Sequence, residues 1–113
     1  MEKPWISVVI PVYNRPQLAL EAVRSVLFQS YPQLECILVD DGSTDPPDEV
    51  RELFAADPRF RYLRTAHSGM PGAARNRGVE AARYSLIAFL DSDDIWLPRK
   101  LELQVAALVQ TVR

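Results

Sequence analysis

The hydrophobic positions of this chain fall into short runs separated by helical patterns. Residues 5–12 (WISVVIPV) form a β-branched run with no polar alternation after Ser7, as expected of a strand covered on both faces. Asn14 follows as a candidate helix cap, and Pro16 falls in the first turn, where a missing N–H costs nothing. Ala19, Ala22, Val23, Val26 and Leu27 recur at helical spacing and form one apolar stripe, which Tyr31-Pro32 ends. Residues 34–39 (LECILV) predict a second strand. It breaks off into the turn-forming string Asp40-Asp41-Gly42-Ser43-Thr44-Asp45. Pro46 and Pro47 then open a helix predicted to reach Ala56. Residues 60–64 (FRYLR) alternate weakly and predict a third strand nearer an edge. A loop over residues 69–72 feeds a predicted helix over 73–83. Residues 86–90 (LIAFL) predict a fourth strand, ending in Asp91-Ser92-Asp93-Asp94, and a last amphipathic helix follows Pro98.

Strands and helices thus alternate from one end to the other. Short strands joined by helices imply parallel pairing with right-handed crossovers, so the fold class is α/β, an open, mostly parallel sheet with flanking helices. Ligands of such sheets sit outside the carboxyl ends of the strands. Those ends carry Tyr13-Asn14, Asp40-Asp41-Gly42-Ser43 and Asp91-Ser92-Asp93-Asp94.

The length of 113 residues suits one domain and is small for a complete enzyme with two substrate pockets. The net charge of -2 and the lack of a basic run argue against a nucleic-acid partner. The single cysteine, Cys36, lies in an apolar run, which speaks against a disulfide framework and for a reducing compartment. No apolar run approaches the roughly 20 residues that span a bilayer, and the first residues lack a signal-peptide core. A cytoplasmic chain is expected, with peripheral attachment at the inner face of the membrane left open.

The two acidic strings lie at one end of one sheet. Crowded carboxylates repel, so a divalent cation among them is the simplest expectation. Asp91 and Asp93 stand two residues apart and would share a side of an extended segment. The plainer reading is that both strings are polar turns and helix caps, with Ser43 or Asp45 capping the next helix. Residues 69–78 (GMPGAARNRG) form a third constellation. Gly72 would let backbone approach a ligand at a helix N-terminus, and Arg75 and Arg77 add positive charge near the rim. Alternatively, Gly78 serves tight helix–sheet packing and the arginines balance the acids. His67, the one histidine, is expected as a solvated loop residue, and Cys36 as a core residue. Trp5 and Trp96 are expected to anchor packing, with Trp96 close enough to the acids to line a pocket.

Taken together, VVIPVYNR (residues 8–15), VDDGSTD (39–45), GAARNRG (72–78) and FLDSDDIW (89–96) resemble, in this order, the family 2 glycosyltransferases of the GT-A fold. The resemblance implies a Rossmann-like nucleotide-binding half over residues 1–113, cut short at its C-terminus. It implies a nucleoside-diphosphate sugar donor with UDP-sugar favoured, an Mg²⁺ or Mn²⁺ ion, and inverting transfer to the hydroxyl of a glycan or lipid-linked acceptor. By that likeness Pro11, Tyr13, Asp40 and Asp41 would flank base and ribose, with Asp41 at the base edge. Arg75 would face the nucleotide or diphosphate, Asp91 and Ser92 the ribose and donor sugar, and Asp93 the metal. Members of the family are longer, and their general base is expected beyond Arg113, so this chain is expected to transfer sugar poorly by itself. An exposed strand edge makes self-association an expectation as well. Two other readings remain at this point. One is a binding-only or inactive module. The other is a nucleotidyltransferase-like phosphate enzyme, against which VVIPVYNR lacks a glycine- and lysine-rich loop.

Overall fold

The computed structural model describes residues 3–70 and 72–111. The elements are β1 (Ile6–Val12), α1 (Pro16–Leu27), β2 (Leu34–Asp40), α2 (Asp48–Phe54), β3 (Phe60–Arg64), α3 (Ala73–Ala81), β4 (Leu86–Phe89) and α4 (Lys100–Thr111). The strands form one sheet in the order β3-β2-β1-β4, with every pair parallel. The predicted α/β class and element order therefore hold.

The central strands explain the unbroken apolar runs. β1 and β2 are buried almost throughout, whereas β3 is only partly buried, as its weak alternation predicted. Alternate residues of β1 and β2 face two cores. Val8, Ile10, Cys36 and Leu38 meet the stripe of α1, with Trp96, Leu101 and Val105 from the end of the chain. Val9, Ile37 and Val39 meet Ala74 of α3. Helix α3 lies so close to the sheet that a Cβ on Gly78 would come 2.3 Å from Val9 Cγ1. Gly78 thus serves close packing, as the second reading of that constellation expected. Burial pushes the Cys36 thiol pKa up, in keeping with a core cysteine.

Tertiary contacts adjust the predicted boundaries. Helix α3 ends at Ala81 rather than Arg83, because a buried Glu35 captures the chain there. Its carboxylate accepts from Ser7 Oγ at 2.6 Å, Arg61 Nη1 at 2.9 Å and the Arg83 amide at 2.7 Å. Arg61 also donates to the Ala81 carbonyl at 2.8 Å. Helix α2 starts at Asp48, after both prolines, and stops at Phe54. Trp5 stays outside β1, half exposed, and stacks on Tyr84 with ring centroids 5.3 Å apart. Gln29 orients α4, accepting from the Leu101 amide at 3.0 Å and donating to the Leu97 carbonyl at 2.7 Å.

Candidate functional site

All four carboxyl strand ends open on one rim. At the end of β1, Asn14 adopts φ 52°. It does not cap α1, whose boundary residue Arg15 has no side-chain cap. Instead its Oδ1 accepts from the Asp45 amide at 2.9 Å and Thr44 Oγ1 at 3.2 Å, and its own amide donates to Ser43 Oγ at 2.9 Å. Tying the β1 and β2 loops together satisfies more backbone groups than a cap would. Ser43 is engaged through its hydroxyl and Asp45 through its amide, and neither caps a helix; the α2 boundary residue is Pro47.

Asp40 and Asp41 are adjacent but serve different places. Asp40 is fully buried. Its carboxylate accepts from the Ser43 amide at 2.9 Å, from Tyr62 Oη, and from Arg64 Nη1 at 2.9 Å. Burial by itself would raise its pKa. The hydrogen bonds from Ser43 and Tyr62 and the charge of Arg64 outweigh that, and the pKa is lowered. The structure therefore places the Asp40 side chain beneath the rim, holding its loop. Asp41 faces upward into a cavity of about 300 Å³ walled by Pro11, Tyr13, His67, Met70 and Ala74. Its Oδ1 accepts from the Ser68 amide at 3.1 Å, and its Oδ2 lies 3.2 Å from His67 Nδ1.

His67 is an exposed loop residue, as expected from sequence, but its ring is not free. Its ring stacks on Tyr13 with centroids 4.2 Å apart and planes 21° apart. Gly42 permits this. At φ 69° it takes a backbone form that side chains resist, and a Cβ there would fall 2.4 Å from His67 N. His67, Ser68 and Gly42 were missed as site residues. The available signal was the rim rule itself: His67 and Ser68 follow the carboxyl end of β3, which carries no acid to draw attention, and Gly42 stands inside the acidic string after β2.

The second acidic string lies beside α3. Asp91, Ser92, Asp93 and Asp94 do not form an extended segment. The Asp94 amide donates to the Asp91 carbonyl at 2.9 Å and closes a turn. That turn gathers more than alternation would. Carboxylate oxygens of Asp91, Asp93 and Asp94, all exposed, lie within 4.8 Å of one another. Arg75 reaches across to Asp91 with Nη2–Oδ1 at 2.8 Å. Arg77 does not join the rim and pairs with Glu80 at 3.4 Å. A second cavity, of about 530 Å³, runs along Arg75, Phe89, Asp91, Asp94 and Trp96. Trp96 does both things considered for it: it is buried in the core and lines this cavity. Ala74 lines the first cavity and Arg75 the second, so the start of α3 separates the two.

One rim of a parallel sheet thus carries both an aromatic–acid cavity and an acid cluster. Residues 7–112 match the sequence profile of Glycosyl transferase family 2, and the chain belongs to that family. An uncharacterized glycosyltransferase of Rickettsia felis is 46% identical over 100 residues, covering 88% of this chain and 16% of its own length. A Haemophilus influenzae relative, also an uncharacterized glycosyltransferase, is 41% identical, covering 97% of this chain and 44% of its own length. The chain thus spans less than half the length of these curated relatives. Among solved structures, residues 1–349 of S. aureus TarS in complex with UDP superpose with a TM-score of 0.85 at 28% identity, over 94% of this chain and 32% of that one. The GT-A expectation is met. Among the described residues no helix is long and apolar enough to cross a membrane.

Proposed function

We propose that this chain is the donor-binding part of an inverting glycosyltransferase, holding a nucleoside-diphosphate sugar across the rim for transfer to an acceptor hydroxyl. The observation that carries this reading is the spacing of features along one rim. A base-sized aromatic cavity with Asp41 at its edge opens beside the acid cluster, and the cationic Arg75 stands between them. The UDP held by the TarS relative favours a UDP-sugar.

In this reading Pro11 and Tyr13 wall the base, and Asp41 accepts an N–H from the base edge. Asp40 acts from below, fixing the loop that carries Asp41 towards base and ribose. Arg75 exchanges Asp91 for a diphosphate oxygen, a planar fork suited to that geometry. Asp91 and Ser92 meet the ribose and donor sugar. Asp93 is the chief ligand for Mg²⁺ or Mn²⁺, with Asp91 and Asp94 in reach. The donor set fits: these are hard oxygens, and six-coordinate Mg²⁺ spaces its ligands by ~3–4 Å, a small adjustment from the separation found. When bound, such an ion would neutralise charge developing on the leaving diphosphate.

The donor side is all that these motifs supply. Asp40 and Asp41 are held by partners, and the remaining rim acids are gathered for a cation. The general base is therefore proposed to lie outside residues 1–113, and a slow or absent turnover is expected for this chain. That same engagement of the rim acids favours a binding-only module as the second reading. Measurable sugar transfer at rates typical of enzymes would remove it. A glycan or lipid-linked acceptor, and a cytoplasmic site at the inner face of the membrane, belong to the same proposal. To test the base seat, UDP is titrated calorimetrically into the chain and a Tyr13→Ala variant. Removing the stacking ring is expected to weaken binding roughly tenfold, from a stack worth ~1 kcal/mol or more. Equal affinity in the two proteins would show that the base sits elsewhere.

A further inference from the structure

The aromatic pair at the first cavity is closed. With ring centroids 4.2 Å apart, Tyr13 and His67 leave no slot between them. A third ring would need ~3.5–4 Å on each of its faces. On the same side, His67 Nδ1 lies 3.0 Å from the Asp41 carbonyl oxygen and 3.2 Å from its Oδ2. An aromatic heterocycle is thus already stacked on Tyr13 with a ring nitrogen turned to Asp41. A nucleobase that stacked on Tyr13 and donated to Asp41 would make the same two contacts, in the same volume.

We propose that His67 occupies the nucleobase seat of the free protein and is displaced when a base enters; the proposal rests on the reading of Tyr13 and Asp41 as base-binding. Displacement needs only side-chain rotation. The His67 side chain is 46% exposed, while its backbone is fixed against Gly42 and through the Ser68 amide on Asp41. When the imidazole leaves, Asp41 Oδ1 keeps the Ser68 amide, and Oδ2, left with only the long 3.4 Å contact from Ser68 Oγ, is open to the incoming donor. The ring N–H of uracil fills that role, and the exposed Tyr13 face is restored to it. Histidine and base are then mutually exclusive, and apparent affinity falls by the fraction of time the seat is filled. His67 is a positioning residue in this scheme: it sets affinity by holding the seat and touches no reacting atom.

The test is titration of UDP with diamagnetic Mg²⁺ into the full chain and its His67→Ala variant, with the imidazole proton signals followed by NMR. The chain has one histidine, so those signals are unambiguous. The variant is expected to bind UDP several-fold to about tenfold more tightly, the reverse of what loss of a binding residue gives. In the unaltered chain the imidazole signals, shifted by the Tyr13 ring, are expected to move to unstacked positions at saturating UDP. A Tyr13→Leu substitution should move them the same way without UDP. Equal or weaker UDP binding by His67→Ala, or imidazole signals unmoved at saturation, would overturn the proposal while leaving the base-binding reading intact. No UDP binding by either protein would overturn both.

Discussion

Asp40 at the end of β2 and Asp93 at the end of β4 carry the same side chain on the same rim, in opposite surroundings. Asp40 is fully buried and bonded to Ser43, Tyr62 and Arg64. Asp93 is exposed, and carboxylates of two more acids lie within 4.8 Å of its own. A buried carboxylate persists only when its partners repay its lost hydration. An exposed cluster persists because water screens it, at some cost in mutual repulsion. Asp40 thus builds the site, whereas Asp93 is the acid proposed to hold a cation.

Breaking the first side should cost the fold most. Asp40→Ala strands the Tyr62 hydroxyl, the Ser43 amide and Arg64, and is expected to lower stability by ~2–3 kcal/mol in urea denaturation. Gly42→Ala should follow at ~2 kcal/mol, since the added Cβ both strains φ 69° and meets His67 backbone. Acid should erase the Asp40 contribution. Its pKa is lowered on folding, so its stabilisation is complete above the ordinary carboxylate value of about 4 and is lost as pH falls through the lowered folded value. Stability of the unaltered chain and of Asp40→Asn should therefore converge below about pH 4. Glu35, lowered despite burial through its bonds to Ser7, Arg83 and Arg61, adds to the same acid limb in both proteins. Breaking the second side should barely register in stability: Asp93→Ala and Arg75→Ala are each expected within ~0.5 kcal/mol of the parent, because the charges are exposed. A loss of stability in Asp93→Ala as large as that in Asp40→Ala would erase the distinction.

The sequence showed the two sides unequally. The apolar runs at residues 5–12 and 34–39 disclosed the central strands because both faces are covered, and the rim followed from strand order alone. The acids at 91, 93 and 94 were visible as a string, although a turn rather than alternation brings them together. What lay hidden was long-range. Nothing local marks Tyr62 and Arg64 as the partners of Asp40, which come from a neighbouring strand. Nor does local pattern place the His67 ring on Tyr13, or make Asn14 a bridge between loops instead of a cap. Those outcomes depend on which polar groups need partners once the sheet has formed, and a periodicity cannot report them.

The most direct test of the whole account is calorimetric titration of UDP into the chain and into Asp93→Ala, each with Mn²⁺ and with a chelator. The unaltered chain is expected to bind UDP at least tenfold more tightly with Mn²⁺, and the variant, still fully folded, to lose that metal dependence. Binding indifferent to Mn²⁺, or an Asp93→Ala variant as metal-responsive as its parent, would show that the exposed acids of β4 are not the donor's metal site.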